Sequence, residues 1–273
     1  MRQGTLVTRY LPDAQAVTNQ AARTFAVATR LLPPELRGDV YLLYLVMRTL
    51  DDLVDDRAAG AQGRLEAVER WALTGRVVGR EAEILDELFR KHDGLSRRPV
   101  LEFVEGMRQD LGRPVFVTEA DVDLYAYRVA GTVGELMAGI LGVRRPEACF
   151  AARALGIAMQ RTNILRDLDE DLAAGRVYLA SRTLESLGIE DLAADDRSAL
   201  LRVGVALAER WYDMGIGGID DLVRGRQAIR AAALMYREIL RQIGRDGWGE
   251  KRPWRASVSG RRKAWLALLA LAS

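Results

Sequence analysis

Apolar side chains return every three to four positions along most of the 273-residue chain, and stretches that alternate apolar with polar are scarce. This period predicts an all-α protein, with helices over Ala14–Leu32, Leu36–Asp56, Gly63–Thr74, Arg80–His92, Pro99–Leu111, Thr118–Leu141, Pro146–Ala173, Leu200–Gly215 and Gly225–Gly244. Breaks come from Pro33-Pro34, Gly60 and Gly63, Gly94, the segment from Gly112 to Pro114, Pro146, and the glycine-rich stretch from Gly215 to Asp220. None is long enough to link two domains, and no fixed-period repeat is present. A single domain over residues 1–273 with one extensive core is expected.

Composition narrows the classes. With 49% hydrophobic and 29% charged residues, the chain is too apolar to stay disordered. Its 40 basic and 38 acidic residues leave a net charge of +2, so no overall field favours nucleic acid. A single cysteine, Cys149, rules out an internal disulfide framework. The single histidine, His92, sits in the polar stretch KHDGLSRRP, so zinc chemistry and a Ser-His-Asp triad have almost nothing to build on. The start, MRQGTLVTRYLPDAQ, lacks the apolar core of a signal peptide, and no run approaches the roughly 18 apolar residues of a membrane span. A cytoplasmic protein is expected.

Two segments carry the chemistry. In YLLYLVMRTLDDLVDD, a helix places Tyr44, Arg48, Asp51 and Asp55 within an arc of about 60°, with Asp52 and Asp56 in the adjacent row. Like charges four apart repel by about 0.2–0.5 kcal/mol per pair, so this crowding in an otherwise apolar helix has no stability rationale. In MQRTNILRDLDEDLAAGRVYL, Gln160, Asn163, Asp167 and Asp171 fall within about 80° of one another. Either run alone reads as a solvated helix face; together, in apolar helices, they point to a shared cation. Carboxylates on two helices suit Mg²⁺, which bridges one or two of them to substrate phosphates. Metal on a diphosphate stabilises charge as the C–O bond breaks and leaves an allylic cation. The forked guanidiniums of Arg48, Arg166 and Arg176 suit phosphate oxygens.

These segments resemble a known family. RTFAVATRLLPPELRGDVYLLYLVMRTLDDLVDD is similar to the N-terminal block of squalene and phytoene synthases, DLYAYRVAGTVGELM to their central block, and QRTNILRDLDEDLAAGRVYL to their second acidic block. A fainter likeness continues through MYREILRQI to GEKRPW. The resemblance implies the all-α isoprenoid synthase fold, with helices around a deep central cavity and two Asp-x-x-x-Asp motifs facing each other near its mouth. It makes Asp51, Asp55, Asp167 and Asp171 the Mg²⁺ ligands, with Mn²⁺ as a substitute. Arg48, Gln160, Asn163, Arg166 and Arg176 match diphosphate- or metal-proximal positions, Asn163 among the ligands, and Tyr44, Tyr125 and Tyr178 match tyrosines lining the reaction centre. Tyr236 and Arg252 match a C-terminal tyrosine and a diphosphate-binding arginine. The family's serine-rich start is here Ala22-Arg23-Thr24-Phe25, leaving Arg23 as the basic phosphate contact.

Val129, Gly131, Val133, Gly134 and Met137 follow Tyr125 on one expected helix. The resemblance makes Val133 and Gly134 contacts for prenyl chains passing close to the backbone. Close helix packing is the alternative, since an interior glycine costs about 1 kcal/mol relative to alanine.

The implied reaction couples two farnesyl or geranylgeranyl diphosphates head to head. One ionises, the double bond of the second attacks its allylic cation, and proton loss closes a cyclopropylcarbinyl diphosphate. That intermediate ionises, rearranges, and ends by proton loss, as in phytoene or dehydrosqualene, or by hydride transfer from NADPH, as in squalene. No GxGxxG in a strand-helix context supports a nicotinamide site, which favours the phytoene type. The rivals are a class I terpene cyclase acting on one diphosphate, to which DDLVD alone also conforms, and a non-catalytic prenyl-lipid-binding subunit. The tail RRKAWLALLALAS joins basic residues to an apolar helix too short to span a bilayer. Packing on the core and peripheral contact with a membrane are its two readings.

Overall fold

The computed structural model describes residues 6–21 and 27–272, and the described chain is helical without a strand. Helices α1 (Leu6–Ala21), α2 (Pro34–Asp55), α3 (Ala61–Thr74), α4 (Arg80–Lys91), α5 (Arg97–Leu111) and α6 (Glu119–Ala126) lead into a π turn at Tyr127–Gly131. There follow α7 (Thr132–Leu141), α8 (Glu147–Arg166), α9 (Leu168–Ala173), α10 (Ser181–Ser186), α11 (Ser198–Ile216), α12 (Arg226–Arg245) and α13 (Gly260–Ala272).

Two helices organise the rest. α8 packs against α6, the π turn, α7, α11 and α12, and α2 packs against α1, α3, α4, α5 and α7. α2 starts at Pro34, where the ring presets the helical φ and the missing N–H would have had no partner. Its apolar face, Leu36, Val40, Leu43, Met47, Leu50 and Val54, is buried, and this burial sets the helix's rotation and aims the polar stripe away from the core. At its start, Asp39 is buried beneath Lys91 (2.6 Å) and His92 (2.8 Å). The lone histidine is thus not a solvated loop residue, as its polar surroundings in sequence suggest, but a buried partner tying α4 to α2.

Three helices depart from the periodicity. α1 starts at Leu6, earlier than expected. The expected helix Thr118–Leu141 contains the π turn, which lies against α8 so closely that a Cβ on Gly156 would stand 2.3 Å from the Ala130 carbonyl oxygen. The expected helix Pro146–Ala173 breaks at Asp167 (φ −101°, ψ 12°), so α9 is a separate short helix. Hydrophobic spacing continues through both places and cannot register a change of one residue in the hydrogen-bond pattern.

Candidate active site

The polar stripe of α2 and the junction of α8 with α9 meet. Arg48 Nη1 bonds Asp51 at 2.9 Å and its Nη2 bonds Asp52 at 2.6 Å. One turn on, Asp55 accepts from Arg176 Nη1 at 3.0 Å, and Arg176 Nη2 lies 3.2 Å from Asp171. One guanidinium therefore clamps the two acidic segments, although Asp55 and Arg176 are 121 positions apart. Asp167 accepts from Arg166 Nε and from Arg255 Nε, each at 2.8 Å. Tyr236 of α12 hydrogen-bonds Arg166 and lies within electrostatic reach of Tyr44.

Gln160 Oε1 accepts from Asn163 Nδ2 at 3.3 Å, while Asn163 Oδ1 is buried with no hydrogen-bond partner. An orphaned buried acceptor costs about 1–3 kcal/mol, which marks this oxygen as a place for a ligand.

A residue not anticipated from sequence completes the set. Asp110, at the end of α5, accepts from Tyr125 Oη at 2.9 Å and from Tyr178 Oη at 3.1 Å. The two rings are stacked, 5.2 Å between centroids and 18° between planes, with Phe116 5.2 Å from Tyr125. Both hydroxyls are therefore oriented as donors by one carboxylate. In sequence Asp110 is a single acid at a helix end, with no spacing to mark it.

The electrostatics follow from crowding. Asp51 keeps 37% of its side-chain surface accessible while lying deep among the helices, as a side chain lining an internal hollow does. Burial, opposed by Arg48 and reinforced by Asp55 and Asp110, pushes its carboxyl up to about 7. Asp110 is pushed up to about 6 by burial, against the hydroxyls of Tyr125 and Tyr178 and with repulsion from Asp55. Asp171 reaches about 6 through burial, opposed by Arg176 and reinforced by Asp167 and Asp55. Asp55 is also raised, by burial. Burial likewise holds the Tyr44 and Tyr178 phenols well above their ordinary range, so both stay protonated. A cavity of about 320 Å³ reaches this cluster from outside, lined by Asp55, Asp110, Arg113, Phe116, Arg176 and Tyr178.

The donors are hard oxygens, which fit a divalent cation, and the carboxylates repel one another in a desolvated place where a cation would relieve them. Among the described residues no three acidic side chains converge on one point. The reason is visible in the ion pairs: Arg48, Arg176, Arg166 and Arg255 each hold a motif carboxylate.

Four expected site residues remain to be placed. Arg252 does not turn to the acidic cluster; its guanidinium donates to the carbonyls of Ala193 and Asp195. The C-terminal arginine at the second motif is Arg255, three residues on, and a run with Lys251, Arg252 and Arg255 offers no register to tell them apart. Gly134 faces α8, where a Cβ would stand 2.2 Å from the Ala152 carbonyl oxygen, so its smallness serves close helix packing. Val133 is half-buried and packs against the main core. Arg23 lies outside the described residues.

Comparison with known proteins agrees with this geometry. A family profile described as squalene/phytoene synthase matches residues 18–262. The chain is similar to the phytoene synthase of Pseudescherichia vulneris, 34% identical over 264 residues that cover 88% of this chain and 85% of that one. It is equally similar to the presqualene diphosphate synthase of Zymomonas mobilis, 34% identical over 258 residues covering 88% and 87%. Among solved structures, a dehydrosqualene synthase in complex with ligand superposes with a TM-score of 0.86 at 26% identity, over 97% of this chain and 96% of that one.

Proposed function

The chain belongs to the squalene/phytoene synthase family, and from that premise we propose that it couples two prenyl diphosphates head to head and ends the reaction by proton loss, as a phytoene-type synthase. The observation that carries this reading is the meeting of the two acidic segments through Arg176, which bonds both Asp55 and Asp171 beside a buried, unsatisfied Asn163 oxygen.

Members of this family ionise prenyl diphosphates with divalent metal. In this chain Asp51, Asp55, Asp167, Asp171 and the Asn163 amide oxygen would hold it. A bound divalent cation supplies Lewis acidity that makes the diphosphate a better leaving group.

The rest of the chemistry falls to side chains. Arg48, Arg166, Arg176 and Arg255 neutralise the motif carboxylates without substrate, and each would be available to a phosphate oxygen if a cation took over its aspartate. Charge gathering on the departing diphosphate is thereby met by donors already in the hollow. Tyr44, Tyr125 and Tyr178, kept protonated, offer hydroxyl oxygens and aromatic faces toward the allylic cation that remains. Asp110 fixes the orientation of Tyr125 and Tyr178. The apolar core beneath, from Leu43, Met47, Met137 and Leu165, keeps water from the cation.

The test is direct. Purified protein incubated with geranylgeranyl or farnesyl diphosphate and Mg²⁺, with and without NADPH, should yield phytoene or dehydrosqualene by mass spectrometry, independently of NADPH. Chelator should abolish turnover, and Asp51→Ala or Asp167→Ala should lower it by about two orders of magnitude or more. A cyclic product built from one diphosphate, or no turnover with any substrate, would refute the coupling reading.

A further inference from the structure

One carboxylate of the second acidic segment has no part in the cluster. On α9, Asp169 stands about 200° around the helix axis from Asp171, and both of its oxygens are taken. Oδ1 accepts from Arg197 Nη1 at 2.6 Å, and Oδ2 accepts from the main-chain N–H of Trp254 at 2.7 Å. Arg197, the residue before α11, is one of the largest side chains that the fold encloses, with 1% of its surface exposed. Solvent reaches Arg255 on Asp167 and Arg176 on Asp171, so those two can exchange partners. Arg197 has nothing else to turn to, and Asp169 is therefore committed to it and to Trp254.

Trp254 belongs to the irregular segment 246–259 that joins α12 to α13. Irregular connections this long are uncommon inside a compact domain and are usually functional. Arg252 secures the segment to the loop before α11, Trp254 Nε1 donates to Asp246 Oδ2 at 3.2 Å, and Ala256 and Val258 are buried in the main core. Arg255 lies between these fixed points, 51% exposed, with its guanidinium on Asp167. An exposed ion pair gains little against the side-chain freedom it gives up, so this pair alone does not hold the arginine in place. The fixed contact next to it is the bond from Trp254 to Asp169, one residue away in the chain. The start of α9 thus supplies both the carboxylate that Arg255 grips and the carboxylate that fixes its backbone.

We propose that Asp169 is a positioning residue for Arg255: anchored by Arg197, it pins the main chain at Trp254 and seats segment 246–259 on α9, so that the Arg255 guanidinium stays at the second acidic motif, ready for a diphosphate. This rests on the reading of Arg255 as a diphosphate contact. In the competing account Asp169 only neutralises Arg197, and the bond to Trp254 is incidental. The two accounts separate when the ion pair is removed and the acceptor for Trp254 is kept or lost.

Asp169→Ala alone would strand the enclosed Arg197 charge and destabilise the whole fold. Two paired variants avoid this, since neither leaves a charge unpaired: Arg197→Met with Asp169→Leu, which denies Trp254 its acceptor, and Arg197→Met with Asp169→Asn, which keeps one. Each is titrated with inorganic pyrophosphate and Mg²⁺ by calorimetry, and each is digested with trypsin, timing cleavage after Lys251 and Arg255. The leucine pair should bind pyrophosphate about tenfold more weakly and be cut about tenfold faster, and the asparagine pair should recover most of both. In an Arg255→Ala background the leucine pair should weaken pyrophosphate binding by less than about twofold further. Equal losses in the two pairs, wild-type behaviour of the leucine pair, or an undiminished loss without Arg255 would each overturn the proposal. Digestion needs no ligand, so a wild type that binds no pyrophosphate and forms no coupled product would refute the diphosphate chemistry separately from the seating of the segment.

Discussion

Arg252 and Arg255 lie three residues apart and do different work. Arg255 Nε bonds Asp167, and its Nη1 lies 3.5 Å from Glu170, so it is free to exchange a carboxylate for a phosphate oxygen. Arg252 is spent on backbone carbonyls of Ala193 and Asp195, an arrangement that closes the loop before α11 and leaves no donor fork for a ligand. Loss of a charge-assisted hydrogen bond is worth about 1.5–3 kcal/mol, so Arg255→Ala should lower kcat/KM by roughly tenfold to a hundredfold, with the melting temperature little changed. Arg252→Ala should do the reverse, lowering thermal stability with steady-state kinetics nearly intact. Parallel kinetics and thermal melts of the two variants check the assignment, and equal kinetic losses would return Arg252 to the site.

At the scale of elements, the decisive contact is between the π turn with α7 and the middle of α8. Gly134 and Gly156 let two backbones approach so closely that a methyl group would fall 2.2 Å from Ala152 O at one and 2.3 Å from Ala130 O at the other. Neither obstacle is the end of a flexible side chain, so relief requires the helices to part. Overpacking of this kind costs about 1–3 kcal/mol or more, and Gly134→Ala and Gly156→Ala should each depress the melting temperature by several degrees. Because α8 carries Gln160, Asn163 and Arg166 and the π turn follows Tyr125, activity should fall along with stability. A Gly134→Ala protein that melts like the wild type would restore the prenyl-passage reading. The break at Asp167 belongs to the same scale: it frees Asp171 from the α8 axis, so the two aspartates of the second motif are held by separate arginines, Arg166 and Arg176.

For the whole molecule, the carboxylate cluster makes the metal-free protein sensitive to pH. Asp51, Asp110 and Asp171 have folded-state pKa values of about 7, 6 and 6, above the ordinary 3.8. A group whose pKa is raised by folding contributes its stability fully below the unfolded value, and that contribution is lost as pH rises through the folded value. Without metal, therefore, stability should decline between about pH 4 and pH 7. Glu238 works oppositely: burial would raise it, but Arg262, Arg245 and Arg241 overcome burial and hold it at about 2. Its contribution is present above 4.5 and disappears as pH falls toward 2, loosening α13 from α12. Thermal melts in chelator should thus peak near about pH 4, and added Mg²⁺ should raise the melting temperature more at pH 8 than at pH 5. An equal effect at both values would mean that these carboxylates are not what the cation relieves.

The sequence by itself determined the helical class, because apolar spacing encodes which face of each helix is buried. It also marked out the acidic stripe of α2, because Arg48, Asp51 and Asp55, three and four apart on a helix, share a face whatever the helix packs against. Only the tertiary structure decided the rest. Asp110 acquires its partners from α6 and from the segment after α9, the choice between Arg252 and Arg255 turns on how a loop folds back, and Gly134 packs against α8. These depend on distances between segments far apart in the chain, and local periodicity carries no term for them.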